Sequence, residues 1–246
     1  MEGRGLTPLL EGGAFFEAPR WHDGRWWVSD FYRHAVYTVG TDGSEELVLE
    51  VEHQPSGLGW LPDGSLLVVS MKDQRVLKRD RDGNATLAAE ELMFPNGSVI
   101  TPDGSTLIVG ETAGCRYTAF TIRADGSLSD RRVWAQLAPT PALGPLQEML
   151  AQLAIGPDGC TLDAEGHIWA ADEVGARCIR IAPGGAIVDE IRTPEGVGCF
   201  ACALGGDDGR TLLMCAAPDF LESSRSHARD AVLLTAIVEI PHAGLP

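Results

Sequence analysis

Polar side chains recur at a nearly fixed distance before turn sequences in this chain. Ser56, Asn96 and Asp158 each stand seven residues before the acid of an Asp-Gly or Glu-Gly turn, and Glu17 stands six before. Cys199 takes the corresponding place in a fifth segment, eight residues before its turn acid. A repeated fold brings equivalent positions together, so these residues are the first candidates for chemistry.

The chemistry that Glu17, Asn96 and Asp158 share is oxygen coordination of a hard cation. Carboxylate and amide oxygens suit calcium or magnesium, and these positions carry no imidazole or thiolate. Each residue alone is an ordinary turn residue. Together, three oxygen donors at one repeat position predict a site for one divalent cation. Calcium is the first choice, and magnesium, manganese and zinc remain open.

Ser56 occupies the equivalent position in its own repeat and carries a hydroxyl group. We expect it to hydrogen-bond a substrate, although a structural role in its turn explains the residue equally well. The sequence contains no GxSxG motif, so a serine hydrolase has no support.

The elements that must position these residues form a repeat. An apolar strand, an acidic-Gly turn and a second apolar strand recur five times, and a second alternating pair of strands follows, as in the segment QRVLKRDRDGNATLAAEEL from Gln74. Four strands at a period of about 40 residues describe one propeller blade. The first hairpins of the five copies begin at Trp21, Leu61, Thr101, Leu162 and Gly205.

The five copies predict an all-β fold, a single propeller domain over residues 1–246 with five four-stranded blades. A closed five-bladed ring is the first choice because open edge strands invite aggregation. A ring with a gap, or a ring that pairs with a second copy, is the alternative. The residues from about 135 to 156 interrupt the repeat and predict a loop with a short helix from Pro145, either a lid or a segment packed on the rim.

Composition narrows the class of partner. A net charge of −16 repels phosphate backbones and anionic lipid, so we expect a small-molecule substrate, no nucleic acid and no membrane. The chain is expected to be a cytoplasmic monomer or homodimer. The six cysteines, including the Cys199–Cys202 pair, are expected to be buried thiols.

Three segments together resemble the senescence marker protein/gluconolactonase/luciferin-regenerating family. FEAPRW resembles the EGPxW opening of that family, with Ala18 where the family has glycine. FPNGSVITPDGSTLIVGET resembles its PNGLxxSPDGxTLYxxxT segment, and PDGCTLDAEGHIWAA resembles PDGxxxDxxGxxWxA. The resemblance implies a six-bladed, calcium-dependent lactonase with Glu17, Asn96 and Asp158 as metal ligands and Asp158 as the base.

The resemblance departs from the family at one blade. A family segment of the form NDxxVDxxGRxW should lie between Ser56 and Asn96, and it is absent here, along with the asparagine commonly assigned to substrate contact. The implied function is hydrolysis of a small lactone or ester by a water activated at a channel calcium. Two alternatives are an organophosphate hydrolase with the same type of site, and a non-catalytic, calcium-stabilised binding or scaffold propeller.

Overall fold

The computed structural model describes residues 5–60, 66–70, 89–142, 144–145, 148–149 and 151–244, and the described part is built almost wholly of β-strands. The strands are β1 (Thr7–Gly13), β2 (Phe16–His22), β3 (Arg25–Asp30), β4 (Ala35–Val39), β5 (Glu45–Glu50), β6 (Pro55–Trp60), β7 (Leu66–Ser70), β8 (Pro95–Ile100), β9 (Thr106–Glu111), β10 (Arg116–Ile122), β11 (Leu128–Gln136), β12 (Pro157–Leu162), β13 (Ile168–Asp172), β14 (Arg177–Ile181), β15 (Ile187–Arg192), β16 (Gly198–Gly205), β17 (Thr211–Ala217) and β18 (Ala231–Ile237). A 3₁₀ turn covers Thr112–Gly114, and a short helix, α1, covers Glu222–Arg225. No helix in the described ranges has the length and apolar character needed to cross a bilayer.

Consecutive strands form antiparallel four-stranded sheets, as the hairpin pattern predicts. The orders are β2-β3-β4-β5, β8-β9-β10-β11 and β12-β13-β14-β15, and β6 pairs with β7. The turn at Asp23 and Gly24 shows the local reason: both residues have positive φ, as a two-residue hairpin requires, and Trp21 then pairs with Trp26. The all-β expectation and its repeated four-stranded sheets are confirmed.

The last sheet joins the two ends of the described chain. Its order is β1-β18-β17-β16, so the strand that begins at Thr7 is hydrogen-bonded beside β18. Thr7 lies opposite Thr235, and the Thr235 hydroxyl donates to the Thr7 carbonyl oxygen at 3.1 Å. The sequence repeat assigned no role to residues 7–13, because a strand completed from the opposite end leaves no periodic signal.

The first strands of the sheets lie side by side. β2 contacts β6 and β16, and β12 contacts β8 and β16. We call the region that these first strands surround the axial space. The contacts between sheets are apolar: Trp21 and Trp26 stack edge to face at 5.0 Å and share a buried cluster with Leu213 and Leu233 of the last sheet.

Glycine permits the closest of these contacts. A side chain at Gly97 of β8 would overlap the backbone of β12 at Asp158, and one at Gly159 would overlap Ala201 of β16. The first strands therefore approach backbone to backbone, which brings residues at their starts into one small region.

A buried acid at the end of the second strand fastens three of the sheets. Asp30, Glu111 and Asp172 are fully buried, and each accepts a backbone N–H from the segment that leads into its own first strand. Each also faces an arginine near the start of the third strand; Arg116 and Arg177 bond their acids at 2.9 Å, and Arg33 lies 3.8 Å from its acid.

Two sequence expectations fall partly outside the described residues. The turn at 61–65 and most of the hairpin from Gln74 belong to the undescribed ranges, so β6 and β7 are the only described strands of the second repeat. The predicted insertion begins after Gln136, slightly later than expected, because Ala135 and Gln136 extend β11. Residues 148–149 are helical, and the Met149 N–H donates to the Pro145 carbonyl oxygen at 3.1 Å, whereas residues 146, 147 and 150 of the predicted segment lie outside the described residues.

Candidate active site

Glu17, Asn96 and Asp158 each occupy the second position of a first strand, in β2, β8 and β12. In each strand the register shifts immediately around this position, between Glu17 and Arg20, between Pro95 and Ser98, and between Pro157 and Cys160. Such bulges turn a side chain away from the regular alternation of the strand. The same device therefore acts at each predicted ligand.

The structure brings these three side chains into one electrostatic group. The Asn96 side chain favours the charged form of the Asp158 carboxylate, and the negative charge of Glu17 opposes it. The Asn96 amide also lies 3.4 Å from the Thr112 hydroxyl, which in turn donates to the Pro157 carbonyl oxygen at 2.7 Å. Asp158 is only 8% exposed, so its charge is poorly solvated. We call this end of the axial space the carboxylate end.

The two carboxylates strongly disfavour their own ionisation. Burial raises the pKa of Glu17 to about 7, against which the Ala18 N–H and the positive charge of Arg20 act only partly. Burial raises the pKa of Asp158 well above its usual range, and the charges of Glu17 and Glu173 raise it further. A bound cation would reverse this unfavourable arrangement.

Glu173 is a third carboxylate at this end that the repeat analysis missed. It directly follows β13, and because β13 runs antiparallel to β12, its end lies beside the start of β12 where Asp158 stands. Burial raises the pKa of Glu173, as does the neighbouring charge of Asp172. Two consecutive acids in the sequence, Asp172 and Glu173, could have indicated this residue. Asp172 is the buried acid that fastens its sheet, and Glu173 lies at the carboxylate end.

Ser56 and Cys199 share the strand position of the ligands but make different contacts. Ser56 lies at the start of β6, where its carbonyl oxygen accepts the Ser29 hydroxyl at 2.6 Å. Among the hydrogen bonds of the described residues, none joins the Ser56 hydroxyl to the carboxylate group. Cys199 is fully buried, and its thiol lies 4.0 Å from the Ala201 carbonyl oxygen. All six cysteines are buried free thiols, as expected.

The donor set fits a hard divalent cation by its chemistry. Two poorly solvated carboxylates and an amide supply only oxygen ligands, and Glu173 adds negative charge nearby. Over the described ranges, no three His, Cys, Asp or Glu side chains form a ready cluster for a metal. The proposed set has two carboxylates, so it depends on the Asn96 oxygen and on water to complete a shell.

The chain resembles known proteins in sequence and in architecture. Residues 70–218 match the sequence profile of the SMP-30/Gluconolactonase/LRE-like region. This chain belongs to that family. The resemblance inferred from the three motifs is thereby confirmed.

Two curated lactonases of the family are similar in sequence. A 6-deoxy-6-sulfogluconolactonase of Pseudomonas putida is 28% identical over 138 residues, 56% of this chain and 43% of that protein. An L-arabinolactonase of Azospirillum brasilense is 26% identical over 229 residues, 86% of this chain and 66% of that protein. The chain thus spans between two fifths and two thirds of the length of these relatives.

Solved structures of family members share the fold. The calcium-binding protein regucalcin from Agrobacterium tumefaciens superposes with a TM-score of 0.75 at 16% identity, covering 99% of this chain and 97% of that one. A gluconolactonase from Xanthomonas campestris gives a TM-score of 0.64 at 18% identity, with 95% and 89% covered. At these identities the likeness concerns the architecture.

Proposed function

We propose that this chain hydrolyses a small lactone or ester with the help of one divalent cation held by Glu17, Asn96 and Asp158. The observation that supports the proposal is the electrostatic interaction of the buried Asp158 with the half-buried Glu17 and with the Asn96 side chain at the carboxylate end. The names of the relatives support sugar lactones as the substrate class. Calcium is the proposed ion, in keeping with the calcium-binding regucalcin of the same architecture.

When bound, the ion would polarise the substrate carbonyl and stabilise the negative charge that develops on its oxygen. Asp158 would orient the attacking water and accept its proton. Because a neighbouring cation lowers the pKa of a carboxylate, positioning of the water is the larger part of this role. Asn96, whose side chain favours the charged form of Asp158, would supply its amide oxygen to the ion. Ser56 would hydrogen-bond the substrate from the start of β6.

We take the molecule to be a five-bladed propeller in which the two-stranded sheet of β6 and β7 is the described part of the second blade. A closed ring predicts that this blade also contacts β8. Among the first strands, β8 is the most exposed at its far end, where Ile100 is 56% exposed. The junction between β6 and β8 is therefore where closure has to be tested.

The test is a lactonase assay on the purified chain with L-arabinolactone and gluconolactone, following acid release with a pH indicator. We expect turnover with calcium, loss of turnover with EDTA, and a drop in kcat of about 100-fold or more in Asp158→Ala. Asp207→Ala is the matched control, since Asp207 is an exposed turn residue; its activity should equal that of the parent.

Three outcomes would redirect the proposal. Turnover that survives both EDTA and Asp158→Ala would place the reaction elsewhere. Hydrolysis of a phosphotriester in place of the lactones would favour the organophosphate alternative. Thermal stabilisation by calcium with no hydrolysis of either substrate would favour the binding or scaffold propeller, in which Asp158→Ala loses only stability.

A further inference from the structure

A pocket lies at the opposite end of the axial space from the carboxylates. It has a volume of about 550 Å³ and is bounded by the far ends of β2, β8, β12 and β16. Ser98, Thr161 and Leu204 stand on three of these strands, and Ala243 lies at its rim. Because all four first strands run in one direction, a pocket at their ends is separate from the ligands at their starts. We call it the far pocket.

Among the described residues that line this pocket, Arg20 of β2 is the one with a cationic side chain. Its guanidinium makes one hydrogen bond, from Nη1 to the Pro19 carbonyl oxygen at 2.9 Å. Within the described part of the chain, Arg20 has no ion pair, although other partly buried arginines, such as Arg177 and Arg180, bond two acids each. Part of the Arg20 side chain stays accessible.

The surroundings of Arg20 leave its charge poorly balanced. The nearest opposite charge that acts on it is Glu17, toward the carboxylate end. Its other close neighbours are thiols, among them Cys160 and Cys215. A poorly hydrated cation with free N–H donors favours an incoming anion.

We propose that the far pocket binds a small organic monocarboxylate, with Arg20 holding the carboxylate. Most of the lining is apolar, including Trp21, Leu162 and Leu204, so the body of the ligand is apolar. One guanidinium balances one negative charge, and a protein with a net charge of −16 repels dianions such as phosphate. The planar guanidinium also matches a carboxylate with two parallel hydrogen bonds.

Binding of benzoate tests the proposal, measured by saturation-transfer NMR and by titration calorimetry on the intact chain. Benzamide, which has the same shape without the charge, is the neutral probe. We expect benzoate to bind and benzamide to bind much more weakly. Arg20→Met should weaken benzoate binding by about tenfold or more, the loss of a charged hydrogen bond. Arg132→Met, the same change at an exposed arginine, should leave it unchanged.

A second variant separates this pocket from the cation site. Ala243→Phe narrows the rim of the pocket far from Glu17 and Asp158, so it should also weaken benzoate binding while the stabilisation by calcium persists. This variant decides the question if Arg20→Met does not fold. Absence of benzoate binding, equal binding of benzamide, or benzoate binding that survives Ala243→Phe would overturn the proposal. None of these results depends on lactonase activity, so the two proposals fail separately.

Discussion

Glu17 and Asp158 lie on different sheets, and the carboxyl group of each is harder to ionise than it would be in water. Burial dominates the raised pKa of both groups, and like charges add to it at Asp158. A pair of this kind is stabilised either by protons or by a cation. The proposed cation would therefore compete with protons for these two carboxylates, and the pH of the solution would decide which of them is bound.

This competition predicts how the stability of the metal-free protein depends on pH. The pKa of Glu17 rises from 4.5 to about 7 on folding, so between these values the folded chain holds a proton that the unfolded chain has released. The free energy of unfolding should consequently fall as pH increases through this window. Calcium should raise Tm more above pH 7 than near pH 4.5, as measured by thermal denaturation with calcium or EDTA.

Glu17→Gln should flatten the pH dependence and reduce the calcium response, while Glu50→Gln, at an exposed strand position, should change neither. A calcium response that is equal at both ends of the window would contradict the assignment of Glu17 as a ligand.

Ala18 has a backbone conformation that its side chain opposes. Its φ is +48°, in the left-handed region where glycine has no steric cost, and the family motif carries glycine at this position. Ala18→Gly should raise the free energy of unfolding by about 1 kcal/mol in denaturant titrations. Ala176→Gly, also at φ +48°, should gain similarly away from the site. Ala164→Gly, where φ is not positive, should lower the free energy of unfolding. If Ala18→Gly also lowered it, the backbone of Ala18 would not be strained.

The sequence indicated the three proposed ligands but not the charged residues beside them. Turn spacing singled out Glu17, Asn96 and Asp158, because the repeat gives them equivalent positions in their strands. Glu173 and Arg20 were missed, since each depends on the direction in which one strand faces another. A sequence repeat shows which residues occupy equivalent positions. Contacts between residues at non-equivalent positions are seen only in the folded structure.

At the scale of elements, the buried acid that ends the second strand in three of the sheets joins three strands of its own sheet. Asp172 accepts the Gly156 N–H at 3.0 Å and the Arg177 Nε–H at 2.9 Å, which ties the entry to β12 and the start of β14 to the end of β13. The hairpin pattern predicted which strands pair. It did not predict these ties, because the acid and its arginine resemble ordinary surface charges in a sequence.

Asp172→Asn should therefore be strongly destabilising, by about 3 kcal/mol, because it leaves a guanidinium without its buried partner. Glu190→Gln is the matched control, because Glu190 bonds the same Arg177 at 2.6 Å but is 38% exposed. That change should cost no more than about 1 kcal/mol. Urea denaturation measures both, and equal losses would show that burial of Asp172 adds nothing.

At the scale of the whole molecule, the repeat predicted an all-β chain of four-stranded units, and the structure shows four such sheets in the described ranges. The last of them, with β1 beside β18, could not be predicted from a repeat, since its strands come from opposite ends of the chain. Its hydrogen bonds fix the first sheet relative to the last.

Removal of residues 1–13 should accordingly destabilise the whole protein rather than one sheet. It deletes β1 and leaves β18 as an unpaired edge. We expect a lower Tm, and light scattering should detect association of the folded chains. Removal of residues 1–5 leaves β1 intact and should change neither property. A Tm that is unaffected by the longer deletion would show that this pairing contributes little.

The pairing of β1 with β18 also has a consequence during synthesis. During synthesis, Thr7 leaves the ribosome more than two hundred residues before Thr235, the residue opposite it in the sheet. Until then the early strand is an exposed, unsatisfied edge, vulnerable to pairing with other nascent chains. The residues that β1 presents to solvent, including Glu11, therefore have a role during synthesis that the folded structure does not show. They must disfavour pairing of β1 with other chains until β18 has been made.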